Sequence, residues 1–172
     1  HPVRFSMKGL AFDDEDYLSI FRKNPDLFKF QFSITTMDAD LAKKIEIGAP
    51  SPEERLSLME KLSSIGCETA LRLRPFIPGY SDSYEELIRK AKSKGAKDVS
   101  LEFMCLDTRS NKQQDRIKYM SKVRDRVIYL SYKSHRIKGG GYGYVRLGRN
   151  VEAPIVRYFY KESGELGIKL GT

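Results

Sequence analysis

Basic and hydroxyl side chains recur at two-residue spacing in apolar segments of this sequence, and they are its candidate ligand-binding residues. Residues two apart on a strand share one face of a sheet, so Gln31, Ser33 and Thr35 lie on one face, and so do Arg72 and Arg74. Guanidinium groups bind carboxylates and phosphates well. The pattern therefore predicts a polar sheet face. The apolar residues between the polar ones are Phe30, Phe32 and Ile34, then Leu71 and Leu73, and then Leu101 and Phe103 on either side of Glu102.

Two interpretations of this polar face remain open. Unpaired arginines are not buried without water, so the face belongs either to a half-exposed sheet with ordinary surface arginines or to a hydrated hollow that holds a polar ligand. Ligands of α/β sheets bind beyond the carboxyl ends of the strands. The predicted strand ends are Lys8, Ser33–Thr36, Arg72–Pro78 and Met104–Asp107.

Strands and helices alternate along the first part of the chain. Strands are predicted over Val3–Met7, Phe28–Ile34, Thr69–Arg74 and Val99–Leu106, and Pro75 is expected to end the third. Helices are predicted from Asp13, Asp38, Ser51 and Ser83, the last two with a capping box to Glu54 and Glu86. This order predicts an α/β fold, a partial parallel (β/α) barrel or open sheet of about four βα units.

Positive charge and tyrosine are concentrated in the last part of the 172 residues. Residues 1–108 carry 16 basic and 18 acidic side chains, a net charge of −2, whereas residues 109–172 carry 15 and 5, a net charge of +10. Seven of the ten tyrosines also follow residue 108. We therefore predict a partial barrel over residues 1–108 and a basic, tyrosine-rich α+β extension over residues 109–172.

The basic extension is a candidate nucleic-acid-binding surface, because cations attract phosphates and exposed tyrosines stack on bases. The alternative is a small sheet with inward tyrosines and solvated lysines. A helix is predicted over Lys112–Met120, and strands over Val127–Tyr132, Tyr142–Leu147, Ile155–Tyr160 and Leu166–Leu170. The candidate nucleic-acid-binding residues are Arg124, Arg126, Lys133, Arg136, Lys138, Arg146 and Arg149.

Three stretches at or near the predicted strand ends resemble the radical S-adenosylmethionine superfamily. They are Ser33–Asp38, Glu46 with Gly48–Arg55, and Arg74–Asp82. Within that superfamily they look most like the spore photoproduct lyase-like branch, also called DNA repair photolyase-like. The resemblance covers roughly residues 3–107 and implies a partial barrel with the cofactor across its open top.

The resemblance also implies cofactor-binding residues. Ser33 would bind the ribose or the amino acid end of S-adenosylmethionine, Lys8 would bind its carboxylate, and Arg72 or Arg74 would act similarly. Thr35 shares the polar face and completes the candidate set. Enzymes of this family cleave the cofactor reductively at a [4Fe–4S] cluster, and the resulting adenosyl radical abstracts hydrogen from the substrate. No residue of this chain is assigned a catalytic role.

The sequence departs from the family at the iron–sulfur loop. The family holds three irons of its cluster with a CxxxCxxC loop, whereas this chain has only Cys67 and Cys105. The βα units that precede Val3 in relatives are also missing, and Ile47 stands where relatives often carry proline. We expect the C-terminal part of a longer protein or a degenerate relative. S-adenosylmethionine and [4Fe–4S] would belong to the longer parent, with no cofactor or metal on this chain alone.

Other chemistry has little support in the sequence. His135 is the only internal histidine, which argues against a catalytic triad or a histidine-rich metal site. Gly139–Gly141 precede a predicted strand, so they are interpreted as a turn and not as a phosphate loop. No apolar run approaches the roughly 18 residues of a membrane span, and no signal peptide opens the chain. We expect a cytoplasmic setting without a membrane partner.

Three functional hypotheses follow. The first is the C-terminal part of a radical S-adenosylmethionine enzyme with DNA-repair-like chemistry in the parent and no activity in this chain alone. The alternative is a non-catalytic nucleic-acid-binding module that uses residues 109–172. The third is a half-barrel completed by its missing N-terminal half or by a homodimer contact at its open edge.

Overall fold

Five parallel strands form one sheet in the computed structural model, which describes residues 2–107, 144–145 and 147–170. Its strands are ordered β1-β2-β3-β4-β7, and β5 pairs antiparallel with β6 in a separate sheet. The predicted α/β class is confirmed. The strands are β1 Val3–Met7, β2 Phe28–Ser33, β3 Glu68–Phe76, β4 Ala96–Phe103, β5 Leu106–Asp107, β6 Tyr144–Val145 and β7 Lys169–Leu170. The helices are α1 Glu15–Lys23, a short 3-10 turn Pro25–Leu27, α2 Ala39–Ile45, α3 Pro52–Ser64, α4 Tyr84–Ser93 and α5 Arg149–Glu165.

The first three α-helices begin at polar residues that cap their free amide groups. Asp14 caps α1, and Asp38 accepts a 2.9 Å hydrogen bond from the Leu41 amide at the start of α2. Ser51 and Glu54 form the predicted capping box at α3, where each side chain accepts from the other residue's backbone amide. These caps fix where each helix leaves the sheet.

The predicted capping box at α4 is wrong. Ser83 is the N-cap residue, but its side chain makes no capping hydrogen bond. Its hydroxyl instead accepts a 3.0 Å hydrogen bond from the Met37 amide in the loop after β2. The oxygen that would have capped α4 therefore joins two loops at the carboxyl end of the sheet.

The third strand continues through Pro75, contrary to the prediction. Leu73 pairs with Leu101 and Phe76 with Phe103, so three steps along β3 match two along β4. Such a bulge leaves one residue out of the ladder, and a proline without an amide hydrogen is tolerated there. The fourth strand has the predicted length but begins and ends three residues earlier, at Ala96 and Phe103, and Leu106–Asp107 pairs separately as β5.

The predicted strand over Ile155–Tyr160 is also wrong, because these residues lie inside α5. Val151, Ile155 and Phe159 are four apart and pack on the core, which is helical spacing. Of Leu166–Leu170, only Lys169–Leu170 is a strand, and Tyr142–Leu147 contributes only Tyr144–Val145. The predicted Lys112–Met120 helix and Val127–Tyr132 strand lie outside the described residues.

The sheet has one apolar face and one polar face, as the alternation predicted. Phe30, Phe32, Leu71 and Leu73 are fully buried beneath the helices. The other face carries Ser6, whose hydroxyl donates to Gln31 at 3.1 Å, and the ladder places Ser33, Arg72 and Ser100 in one row. Helix packing therefore occupies one face and leaves the second for polar interactions.

The end of the chain packs on the same core as its beginning. Leu147, Phe159 and Ile168 are buried in the main cluster, and β7 extends the sheet beside β4. Tyr158 of α5 donates a hydrogen bond to Glu85 of α4. Within the described ranges, no helix combines the length and apolar character needed to cross a bilayer.

We predict that Gly95→Ala destabilises the fold by about 2 kcal/mol or more. Gly95 has a φ of +94°, which costs alanine roughly 1–2 kcal/mol, and an added Cβ would lie 2.5 Å from the Ser63 Cβ. Chemical denaturation measures the loss. Gly164→Ala is the matched control, because Gly164 lies in α5 with open space around it. This substitution should stabilise the protein slightly, since alanine is favoured over glycine inside a helix. Equal effects of the two substitutions would contradict this account.

Candidate functional site

A buried carboxylate lies where β1 and β2 end. Glu46, in the segment after α2, accepts hydrogen bonds from Lys8 Nζ at 2.5 Å and Thr35 Oγ1 at 3.0 Å, both on Oε1. Its other oxygen accepts from Arg55 Nη2 at 2.7 Å. The side chain is 4% exposed, whereas that of Lys8 is 43% exposed. Glu46 thus joins a buried cation to a cation that reaches solvent.

Arg55 is completely buried and anchors this network to the sheet. Its Nη1 donates to the Ser33 carbonyl at 2.6 Å, and its Nε donates to the Ser51 carbonyl at 3.4 Å. A buried guanidinium needs such acceptors, since an unpaired buried charge is strongly destabilising. The ion pair and the two carbonyls therefore fix α3 against the end of β2.

Glu46 is ionised at neutral pH. Burial alone would raise the pKa of its carboxyl group, but the hydrogen bonds and charges of Arg55 and then Lys8 outweigh burial and lower that pKa. The cluster of Lys8, Glu46 and Arg55 therefore carries two positive charges and one negative charge. The excess positive charge is accessible at Lys8, whose side chain reaches solvent, whereas Arg55 is completely buried.

A cavity of about 320 Å³ opens beside this cluster at the carboxyl ends of the strands. Its polar lining comes from Lys8, Thr35, Lys44 and Glu46, and its apolar lining comes from Ile45, Ile47, Ala49, Pro75, Ile77 and Met104. Such a cavity suits a ligand with an anionic end and an apolar or aromatic body. Its position agrees with the general placement of ligands in α/β sheets.

The two candidate arginines of β3 differ in their environment. Arg74 forms an ion pair with Glu102 of the neighbouring strand, with 2.9 Å between Nη2 and Oε1, and both side chains are about half exposed. Arg72 is half-buried beside Ser33 in the ladder, and its guanidinium has no ion-pair partner among the described residues. Within the described ranges, Arg72 is therefore the candidate arginine of β3 whose charge is not paired.

The structure brings together some of the predicted site residues. Lys8 and Thr35 line the cavity, and Ser33 lies behind them with its carbonyl on Arg55. Arg72 lies in the next strand beside Ser33, whereas Arg74 is paired with Glu102.

Of the candidate nucleic-acid-binding residues, Arg149 is exposed and is the first residue of α5. The remaining candidate nucleic-acid-binding residues, Arg124, Arg126, Lys133, Arg136, Lys138 and Arg146, lie outside the described residues, and the whole set stays a prediction.

Sequence reasoning did not identify Glu46 and Arg55 as functional residues. Both lie in the stretch that carries the family resemblance, which was the available signal. They are nine residues apart across a turn and a helix cap, so neither strand nor helix periodicity brings them together. The two side chains meet only because α3 packs over the end of β2.

The chain's own cysteines do not fit a [4Fe–4S] cluster, which needs three thiolates in the resembled family. Cys67 is buried just before β3, and burial followed by the charge of Asp26 raises the pKa of its thiol. Cys105 is exposed beyond the far end of β4. Across the described part of the chain, no three histidine, cysteine or acidic side chains converge as metal ligands.

These features define an α/β protein with a cavity lined partly by lysines at the carboxyl ends of parallel strands. No family model matches the sequence, and a search of curated proteins finds no match. Three solved structures of spore photoproduct lyase have the same fold, with TM-scores of 0.72, 0.72 and 0.70 and 18% identity. They are a cysteine-to-serine mutant, a tyrosine-to-phenylalanine mutant and a complex with dinucleoside spore photoproduct.

The alignments cover 98% of this chain and 50% of each solved chain. The chain therefore has the fold of half of spore photoproduct lyase and spans half its length. The likeness shows that this chain shares a fold with an enzyme of the branch that the sequence stretches resemble. It leaves the activity to be argued from the site.

We predict that Glu46→Gln lowers the free energy of unfolding by about 3 kcal/mol at pH 7, because it removes one partner of a buried ion pair. The pKa of Glu46 in the folded state lies below its usual value of 4.5, so the ionised carboxylate stabilises the fold above that pH. This contribution disappears as the pH falls through the lowered pKa. The difference in the free energy of unfolding between wild type and variant should therefore become smaller below about pH 4.5.

Urea denaturation at pH 7, 5 and 3 measures this difference. Glu60→Gln is the control, because Glu60 pairs with Lys94 at 2.6 Å on the surface, where ion pairs contribute under about 1 kcal/mol. A Glu46→Gln deficit that stays constant from pH 7 to pH 3 would contradict the buried-pair interpretation.

Proposed function

We propose that this chain supplies part of the cofactor site of a radical S-adenosylmethionine enzyme related to spore photoproduct lyase. The supporting observation is the cation-rich cavity at the strand ends, in a chain that has the fold of half of that enzyme. On this proposal the sheet is one side of a partial barrel, and the cavity is part of the cofactor's place at the top.

Individual residues have distinct tasks on this proposal. Lys8 binds the carboxylate of S-adenosylmethionine through the donors that Glu46 leaves free. Arg72, which lacks an ion-pair partner among the described residues, binds a second acceptor of the cofactor, and Ser33 lies between the two cations. Arg74 contributes less to cofactor binding because its charge is already paired with that of Glu102. When bound at a reduced cluster, the cofactor supplies the adenosyl radical that abstracts hydrogen.

The cluster itself must come from outside this chain. Two cysteines at opposite ends of their strands cannot supply the three thiolates. The half-length coverage of the solved chains and the one-sided pairing of β1 within the described sheet support a preceding half that continues the sheet. This chain binds only one end of the cofactor, so by itself it holds the cofactor weakly and performs no radical chemistry.

The substrate class of the complete enzyme is nucleic acid on this proposal. One similar structure is a complex of spore photoproduct lyase with dinucleoside spore photoproduct, and the last 64 residues of this chain carry a net charge of +10. Neither the comparisons nor the described residues favour the alternative of a non-catalytic nucleic-acid-binding module.

The enzyme hypothesis is tested on the protein that joins this chain to a cysteine-bearing half. After anaerobic loading with iron and sulfide, we expect dithionite to produce 5′-deoxyadenosine from S-adenosylmethionine. Lys8→Met should weaken cofactor binding by about ten- to a hundredfold, since a charge-assisted hydrogen bond contributes roughly 1.5–3 kcal/mol. Lys94→Met is the control, because Lys94 pairs with Glu60 on the surface of the helical layer.

Two results would contradict this proposal. One is an upstream reading frame that contains no CxxxCxxC loop. The other is a cluster-loaded protein that forms no 5′-deoxyadenosine or binds the cofactor equally well after Lys8→Met.

A further inference from the structure

We propose that Glu46 is a positioning residue that holds Lys8 ready for a ligand carboxylate, and that Arg55 holds Glu46 in place. This inference rests on the proposed function for the identity of the ligand. The buried ion pair of Glu46 and Arg55 thus orients an accessible cation, the ammonium group of Lys8. Neither Glu46 nor Arg55 has to touch the ligand.

Glu46 is unable to turn away from Lys8. Its two oxygens receive donors from three directions: Lys8 after β1, Thr35 after β2 and Arg55 in α3. The side chain is 4% exposed, so water does not compete for these oxygens. The carboxylate is therefore a fixed acceptor at the rim of the cavity.

Lys8 by itself would be mobile. Its side chain is 43% exposed, and ordering a lysine side chain costs up to about 2 kcal/mol. Glu46 is its only ion-pair partner among the described residues, and Gly9 beside it has open space. Because the ammonium has three donors, the contact with Glu46 orients it and leaves two donors for the cavity. Preorganisation of this kind increases affinity by removing an ordering cost from the binding step.

The charge of Glu46 by itself would repel a ligand carboxylate. Arg55 offsets that charge at 2.7 Å, so the cluster retains its excess positive charge. The same guanidinium donates to the Ser33 carbonyl at 2.6 Å, which fixes the end of β2 relative to Lys8. One buried cation thus sets the geometry of two candidate cofactor-binding residues on neighbouring strands.

A double-mutant cycle tests this role in the chain as it stands. Binding of S-adenosylmethionine and of methylthioadenosine, which lacks the carboxylate, is measured by NMR titration at millimolar concentrations. We expect Glu46→Gln to weaken S-adenosylmethionine binding five- to tenfold and to leave methylthioadenosine binding unchanged. In a Lys8→Met background, Glu46→Gln should cause no further loss, because the residue it positions is gone. Glu60→Gln is the matched control and should change neither ligand.

Two further measurements distinguish a positioning role of Glu46 from a folding defect and from a failure of the proposed function. Glu46→Asp retains the charge that Arg55 requires but shortens the side chain, so we expect a folded variant with the same selective loss. Relaxation of the Lys8 side chain, measured without ligand, should show greater mobility in both variants.

Equal losses for both ligands, or equal losses with and without Lys8, would show that Glu46 is merely structural and would overturn the inference. If the wild type binds no S-adenosylmethionine, the proposed function fails, and the mobility of Lys8 decides the inference alone. An unchanged mobility overturns it.

Discussion

One fully buried guanidinium organises the carboxyl end of this sheet. Arg55 reaches three acceptors that come from β2, from the segment after α2 and from its own helix cap. The desolvation of that charge is tolerable only when all of these partners are in place. The fold is therefore obliged to place Glu46 and the end of β2 around α3, and through Glu46 this constraint extends to Lys8.

The polar face carries a second charge network at its other end, with the opposite balance. Lys29 at the start of β2 donates to Asp98 and Glu68 at 2.5 Å each. Burial alone would lower the pKa of Lys29, but hydrogen bonds to Asp98 and then Glu68 outweigh burial and raise that pKa. One cation there faces two anions, whereas at the carboxyl end two cations face one anion. The amino end of the sheet thus carries an excess of negative charge, and the carboxyl end carries an excess of positive charge where the cavity opens.

The sequence predicted those features that depend on local chemistry. Period-two alternation identified both sheet faces, and the predicted capping box at Ser51 correctly located the start of α3. The failures arise where tertiary contacts override a local signal. Ser83 has the spacing of a capping box, but its hydroxyl is bonded to the Met37 amide, and α5 alternates well enough at Ile155–Tyr160 to resemble a strand. No local rule connects Glu46 to Arg55, because their contact exists only after α3 packs against β2.

The low identity to spore photoproduct lyase is compatible with a shared fold, because the fold and the site restrict the sequence to different degrees. Alternation, caps and loop lengths can be satisfied by many sequences, so a fold can persist at 18% identity while the function changes. The pair of Glu46 and Arg55 is more restrictive, because replacing either residue leaves the other as a buried charge without its partner. The proposed ligand role of this cluster depends on the 43% exposure of Lys8 beside a 4% exposed Glu46, because a fully buried ion pair would offer no donor to the cavity.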